Sequence, residues 1–166
     1  MNVRLLSALF FSIFIPVSLQ AENTHDYLSF SVGQFDINDN KDSSEYRIEY
    51  LSEDVSLLSP GNFSLKPFYG AMLNGDSGKY FYSGLRKDIK LTHSTFFTPS
   101  FAVGYYDKGN SKDLGYSLEF RSQFELSYQL ESLNRIAISV NHISNASFGN
   151  RNPGVESRVL SYIKVF

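Results

Sequence analysis

The sequence predicts an all-β protein, an eight-stranded antiparallel transmembrane β-barrel. Three observations support this fold class: long stretches in which apolar and polar residues alternate, an aromatic content of 16% made entirely of Tyr and Phe, and polar Gly, Asn and Asp segments at regular intervals. Aromatic residues favour strands, and in membrane barrels they also form girdles at both water interfaces. At 166 residues, the chain has the length of one domain.

The first segment, "MNVRLLSALFFSIFIPVSLQA", has the features of a secretory signal peptide. A single positive charge at Arg4 precedes an apolar run over residues 5–17, and small and polar residues follow up to Ala21. The apolar run is shorter than the roughly 20 residues that a membrane-spanning helix requires. We therefore predict a cleaved leader over residues 1–21 and a barrel domain over residues 22–166.

The composition argues against several other classes of function. The chain has no cysteine, so it offers neither a disulfide framework nor a thiolate zinc site. Its formal charge is −2, without a basic stripe of the kind that follows a phosphate backbone. We expect no nucleic-acid partner, and no cofactor motif is present, so we also expect no cofactor.

The clearest strand pattern is "DLGYSLEFRSQFELSYQL", over residues 113–130. The alternation exceeds the usual soluble strand of about 5 to 6 residues, which favours a tilted membrane span. One parity, assigned to lipid, consists of Leu114, Tyr116, Leu118, Phe120, Phe124, Leu126 and Tyr128. The other strands, which bring the total to about eight, are "DYLSFSVGQF", "SEYRIEYL", "NFSLKPFYGAML", "KYFYSGLRKDIKL", "TFFTPSFAVGYY", "NRIAISVNHIS" and "ESRVLSYIKVF".

Charged residues occupy the other parity of these strands. We interpret them as a solvated or mutually paired filling of the barrel lumen, because a charge inside a barrel needs a partner. They are Glu45, Arg47, Glu49, Glu119, Arg121 and Glu125. Long polar connections alternate with short ones, which predicts outward loops, periplasmic turns and both termini on the periplasmic side. The segment "LSEDVSLLSPGN" is longer than a periplasmic turn should be.

The carboxyl-terminal strand supports an outer-membrane location. Phe166 ends the chain, preceded at alternate positions by Lys164, Tyr162 and Leu160. This pattern resembles the signature by which outer-membrane barrels are recognised for assembly. Together with the leader, it predicts an integral protein of the outer membrane of a Gram-negative bacterium, with outer-membrane lipids as its surroundings.

The same parity places three polar residues on the lipid-facing side. If the last strand turns Leu160 to lipid, Arg158 and Glu156 share that face, and on the preceding strand His142 and Ser144 follow Val140. Residues two apart project about 6.5 Å from each other. His142 could take the proton of Ser144 while Glu156 holds the other ring nitrogen, as in ester hydrolysis. Alternatively, the three are interfacial polar residues that meet headgroups.

The segments "HISNA" and "NPGVES", followed by an aliphatic strand that ends in Phe, resemble the lipid A 3-O-deacylase family of the outer membrane, the PagL type. Members share a His-x-Ser-Asn motif, a downstream Asn-Pro-Gly and an acidic residue. The resemblance is specific over residues 142–166 and architectural upstream. It implies an eight-stranded barrel, and a serine esterase that removes the 3-hydroxyacyl chain at position 3 of lipid A in the outer leaflet.

Carried over to this sequence, the resemblance makes Ser144 the nucleophile, His142 the general base and acid, and Glu156 the orienting carboxylate. The oxyanion stabilisers correspond to the backbone amide of Ser147 and the side chain of Asn152. Asn145 supports the site beside the nucleophile. Many relatives have Gly where this chain has Ser147, so a conformation that favours Gly would alter the oxyanion geometry.

Two alternatives remain at the level of the sequence. One is a structural or adhesive small barrel without catalysis, whose loops such as "YDKGNSKDLG" bind a partner. The other is a soluble secreted β-sandwich with lipocalin-like ligand binding. A second copy of the chain is also an open partner, since lipid-facing residues could bury against another barrel.

Overall fold

The computed structural model describes residues 25–38, 42–53 and 64–166. The predicted leader lies outside the described residues, as does most of the segment "LSEDVSLLSPGN". No helix in the described part of the chain is long and apolar enough to cross a membrane. The strands are β1 (Tyr27–Phe35), β2 (Ser43–Leu51), β3 (Lys66–Asn74), β4 (Lys79–Arg86), β5 (Ile89–Lys90), β6 (Thr95–Asp107), β7 (Leu118–Gln129), β8 (Arg135–Ser144) and β9 (Val155–Val165).

Antiparallel pairing closes these strands into a ring. The sheet runs in the order β4-β3-β2-β1-β9-β8-β7-β6-β5, and an additional pairing of β4 with β6 completes the circle. The two-residue strand β5 pairs only with β6, so eight strands form the wall. The predicted eight-stranded antiparallel barrel is confirmed, which excludes the β-sandwich alternative.

The connections divide between the two ends of the barrel. Residues 36–42, 75–78, 108–117 and 145–154 connect strands at one end, which we call the loop end. The start of β1 and the end of β9 meet at the opposite end, where the backbone N–H of Phe166 donates a hydrogen bond of 3.1 Å to the carbonyl of Asp26. The four polar segments predicted as outward loops thus share one end of the barrel. Length does not distinguish them from the other connections, because the longest connection, residues 52–65, joins β2 to β3 at the opposite end.

The two faces of the wall follow the predicted parity. In β2, Tyr46 and Ile48 are exposed on the outer wall, whereas Glu45, Arg47 and Glu49 are buried in the lumen. The outer wall carries further exposed apolar residues on every long strand, among them Phe30, Val32, Leu73, Phe81, Phe101, Phe124, Ile138 and Leu160. An apolar band of this kind is what a barrel presents to lipid.

Charged and aromatic side chains fill the lumen. Arg121 donates a hydrogen bond of 2.8 Å to Glu49, which also accepts one of 2.9 Å from the hydroxyl of Tyr82. The guanidinium of Arg121 lies 4.2 Å from the centre of the Tyr82 ring, and Arg47 forms an ion pair with Glu45. The predicted paired filling is confirmed for these residues.

Glu119 is an exception within the lumen. It is fully buried, and its two carboxyl oxygens have no hydrogen-bond partner among the described residues. The carboxyl group of Glu119 is therefore not paired by the neighbouring arginines.

The prediction of one long strand over residues 113–130 is wrong at its start, because β7 begins only at Leu118. Gly115 has a φ of +89°, which is incompatible with a strand, and a Cβ atom there would lie 2.3 Å from the carbonyl oxygen of Arg151. The segment before β7 thus folds onto the loop between β8 and β9. Leu114 is consequently buried rather than lipid-facing, whereas Tyr116 is exposed but lies outside the strand.

Candidate active site

His142 and Glu156 form a contact across two neighbouring strands on the outer wall. They are direct partners in the β8–β9 register, and Nδ1 of His142 lies 2.8 Å from Oε1 of Glu156. Their side chains remain 46% and 40% exposed, in contrast with the buried ion pairs of the lumen. Because an ionised carboxylate only accepts hydrogen bonds, Nδ1 carries a hydrogen, and in the neutral ring Nε2 is then an acceptor.

A third element holds Glu156 from the other side. Its Oε2 accepts a hydrogen bond of 2.9 Å from the side-chain amide of Asn38, and its backbone carbonyl accepts one of 3.1 Å from Ile37. Loop 36–42 therefore fixes the carboxylate that faces His142. Sequence analysis missed Asn38, since it lies in a polar loop without periodicity, far from the motif in the chain.

Ser144 is the last residue of β8 and lies two residues beyond His142 on the same face. It is partly exposed, and its partner on β7 is Phe120. Between the described side chains, no hydrogen bond joins the Ser144 hydroxyl to the His142 ring. The structure thus brings His142 and Glu156 into contact and leaves Ser144 beside them on the same surface.

Gly154 allows the loop between β8 and β9 to approach the His142 ring closely. Its φ is +62°, and a Cβ atom at this position would lie 2.7 Å from Cε1 of His142. Any side chain here would displace the imidazole or the loop. The "NPG" segment therefore requires glycine at this position for a steric reason, the close approach of the His142 ring, which the sequence pattern alone does not reveal.

Asn145 and Asn152 are linked within the same loop. The backbone N–H of Asn145 donates a hydrogen bond of 3.1 Å to Oδ1 of Asn152. This bond fixes which end of the Asn152 amide is the acceptor, so its Nδ2 group remains as a donor on an exposed side chain.

The side chain of Asn145 connects two loops. It is fully buried, and its Nδ2 group donates hydrogen bonds of 2.7 Å to the carbonyls of Leu114 and Arg151. Loop 108–117 is therefore attached to loop 145–154 directly behind Ser144.

Ser147 adopts the conformation that favours glycine. Its φ is +65°, and the preceding Ala146 has a φ of +50°, so two consecutive residues lie in the left-handed region. For residues with a side chain this region is disfavoured by roughly 1–2 kcal/mol per residue. The Ser147 N–H donates to no backbone carbonyl within the described parts of the chain, so the donor predicted for an oxyanion is unoccupied.

A cluster of ion pairs connects loops 108–117 and 145–154 beside this site. Asp113 pairs with Lys108 at 3.0 Å and with Arg151 at 3.2 Å, which connects loop 108–117 to loop 145–154. Hydrogen bonds from the backbone amide of Gly115 and from Lys108 lower the pKa of the Asp113 carboxyl. Asp113 is therefore ionised and can keep both cations in place.

An open groove of about 570 Å³ crosses the outer wall over strands β1, β9, β8, β7 and β6. Val140 is two residues from His142, and Arg158 is two residues from Glu156, in each case on the same face of the strand. These two side chains connect the groove to the site. Most of its side chains are hydrocarbon, including Val32, Phe97, Phe124, Ile138, Val140 and Leu160. Among residues 25–38, 42–53 and 64–166, no group of three or more His, Cys, Asp and Glu could hold a metal ion.

A closed barrel with an apolar outer wall defines an integral membrane barrel, and this one carries an imidazole–carboxylate pair on that wall. The family model described as "Lipid A 3-O-deacylase (PagL)" matches residues 45–163, and the chain belongs to this family. It is therefore an ester hydrolase of the outer membrane, as the sequence resemblance implied.

Solved structures support the fold. The structure described as "Crystal structure of the outer membrane enzyme PagL" matches with a TM-score of 0.64 and 20% sequence identity, over 82% of this chain and 97% of that chain. A structure described as "De novo design of transmembrane beta-barrels" matches with a TM-score of 0.58 and 12% identity, over 86% of this chain and 95% of that chain. At these identities, the likeness concerns the fold alone. A search of curated proteins gave no match.

Proposed function

We propose that this protein is a lipid A 3-O-deacylase that uses Ser144, His142 and Glu156 as a catalytic triad. The observation that carries the proposal is the contact of 2.8 Å between His142 and Glu156 on the lipid-facing wall, beside a serine on the same face. The substrate is the ester-linked 3-hydroxyacyl chain at position 3 of lipid A, as the family description suggests.

The reaction proceeds in two halves. In the first, Nε2 of His142 takes the proton of Ser144, whose Oγ attacks the ester carbonyl carbon. The tetrahedral intermediate then collapses, and the 3-oxygen of the sugar leaves with the proton that His142 returns. In the second, water attacks the acyl-serine with His142 as base, which releases the 3-hydroxy fatty acid and restores the serine.

The remaining residues have supporting roles. Glu156 accepts the Nδ1 hydrogen of His142 and stabilises the imidazolium that forms. The Ser147 N–H and the Nδ2 group of Asn152 donate to the oxyanion, while Asn145 holds Asn152 and the two loops in place.

The lipid-facing position of these polar residues follows from the substrate. Acyl chains of lipid A lie in the outer leaflet, so a nucleophile has to point outward from the barrel to reach an ester below the sugar. The hydrocarbon-lined groove beneath the site suits an acyl chain. Polar groups near the interface cost little, roughly 0 to 1 kcal/mol even for charges, compared with about 2 to 4 at the midplane.

Mass spectrometry of lipid A from cells that express wild type or Ser144→Ala tests this function, at equal amounts of folded barrel in the outer membrane. We expect the wild type to remove one 3-hydroxyacyl group and the variant to remove none. Ser122→Ala is the matched control, because Ser122 is also exposed on the outer wall and is the direct partner of His142 on β7.

The outcomes separate the function from the residue assignment. If the Ser144→Ala variant still removed the acyl group and Ser122→Ala did not, the nucleophile would be Ser122 on β7. Unchanged lipid A with the wild type, together with no reaction of the purified barrel with a lipophilic serine-reactive probe, would leave a structural or adhesive barrel without catalysis.

A further inference from the structure

Arg158 is a charged residue on a wall that is otherwise built for lipid. It lies on β9 two residues from Glu156 and on the same face, and its side chain is exposed. Its partners in the register are Val140 on β8 and Gln34 on β1. It also lines the apolar groove below the site, so it stands between the groove and the triad.

One side of the Arg158 guanidinium is fixed, and the other is open. Its Nε donates a hydrogen bond of 2.6 Å to Oε1 of Gln34, whose Nε2 in turn donates one of 3.0 Å to Asp42. The terminal nitrogens of Arg158 make no hydrogen bond to any residue that the structure describes. The Gln34 contact therefore holds the guanidinium in place while leaving its two-pronged end available.

Arg158 also differs from the other arginines in its charge balance. Among the residues described, five arginines pair with a carboxylate and Arg158 does not; the five are Arg47, Arg86, Arg121, Arg135 and Arg151. The nearest acid along the strand, Glu156, already uses its two oxygens for His142 and Asn38. The positive charge is thus available to an anion that approaches from the membrane.

We propose that Arg158 binds a phosphate group of the glycolipid substrate and thereby positions the acylated sugar over Ser144. This inference rests on the proposed function. Lipid A is a phosphorylated glucosamine disaccharide, and a guanidinium with two free NH₂ groups matches a phosphate in a two-pronged hydrogen bond. Arg158 lies opposite Val140, four residues before Ser144 on β8, so roughly 13 Å of strand separates Arg158 from the nucleophile. The long Arg158 side chain and the sugar between the phosphate and the ester together have to span this distance.

The test measures kcat/KM of the purified full-length barrel in neutral detergent on two substrates, lipid A with its phosphates and lipid A from which they have been removed. We expect Arg158→Gln to lower kcat/KM on the phosphorylated substrate by about 10- to 100-fold, mainly through KM, as for loss of a hydrogen bond to a charged group. On the dephosphorylated substrate, wild type and variant should be equal.

Lys164→Gln is the matched control. It removes one positive charge from the same face of the same strand at the opposite end of the barrel, and Lys164 is exposed as well. It should not alter kcat/KM on either substrate. Heat-dependent gel mobility, which separates folded from unfolded barrels, gives the folded fraction of each variant.

Three outcomes would overturn the inference. Equal losses on both substrates would make Arg158 a structural residue of the site, and no loss on either would make it a snorkelling side chain. A loss that occurs only when phosphatidylglycerol is added to the detergent would assign the arginine to bulk anionic lipid. Inactivity of the wild type on both substrates would instead contradict the proposed function itself.

Discussion

Two pairs of side chains in this barrel have the same contact distance: an ion pair that crosses the lumen between β2 and β7, and an imidazole–carboxylate pair on the neighbouring strands β8 and β9. Arg121 contacts Glu49 in the lumen at 2.8 Å, and His142 contacts Glu156 on the outer wall, also at 2.8 Å. The lumenal side chains are 1% and 7% exposed, whereas those on the wall are 46% and 40% exposed. Equal geometry thus occurs in two opposite environments.

The two pairs differ in the hydrogen-bonding groups that they leave free for a further partner. In the lumen, Glu49 also accepts from Tyr82, and the Arg121 guanidinium lies over two aromatic rings. On the wall, Nε2 of the neutral His142 ring is an acceptor beside a partly exposed serine. A buried ion pair satisfies two charges that would each be costly to leave unpaired, whereas an exposed imidazole–carboxylate pair on the outer wall leaves a basic nitrogen for chemistry.

Among the changes that test this comparison, the largest effect on activity is expected from Glu156→Gln. The amide keeps the shape but no longer stabilises the imidazolium, so kcat should fall on the order of 10⁴-fold, as for loss of an orienting carboxylate. Stability should change by less than about 0.5 kcal/mol, because the pair is exposed. Deacylation assays in detergent and urea unfolding from vesicles measure the two quantities. A fall in stability with intact kcat would contradict the comparison.

The opposite pattern is expected from Arg121→Met in the lumen. Removal of the guanidinium leaves Glu49 buried without its charge partner, which costs about 3–5 kcal/mol of the free energy of unfolding. The double change Arg121→Met with Glu49→Gln should recover part of this loss. Activity per folded molecule should stay close to wild type. A large loss of kcat in folded Arg121→Met would show that the lumen takes part in catalysis.

An intermediate effect is expected from Asn152→Ala, which removes one proposed oxyanion donor. Loss of such a donor reduces kcat by about 10²- to 10³-fold, so this variant should be impaired but measurable. Single-turnover deacylation with the folded variant determines the rate of the chemical step. Wild-type turnover would exclude Asn152 from the active site. The hydrogen bond from the Asn145 N–H to Asn152 would then serve only the structure of the loop.

The fold and the wall pair could be predicted because strands repeat every two residues. Once Leu160 and Val140 were assigned to lipid, the positions of Glu156 and His142 followed without knowledge of any loop. The contribution of Asn38 could not be predicted, since it depends on the path of a loop. The early start assigned to β7 failed for the same reason, because the positive φ of Gly115 serves a contact with the loop between β8 and β9.

The smallest effect is expected from Ser147→Gly, which tests whether the loop needs only the backbone of this residue or also its side chain. With a φ of +65°, the serine occupies a region that glycine enters without a steric penalty, so the change should raise the free energy of unfolding by about 1 kcal/mol at most. The backbone N–H survives the substitution, so kcat should remain within a few-fold of wild type. Urea unfolding and steady-state deacylation measure both quantities on one preparation. A large fall in kcat would mean that the serine side chain itself contributes to the oxyanion site, and catalysis by the wall pair would then depend on the Ser147 side chain.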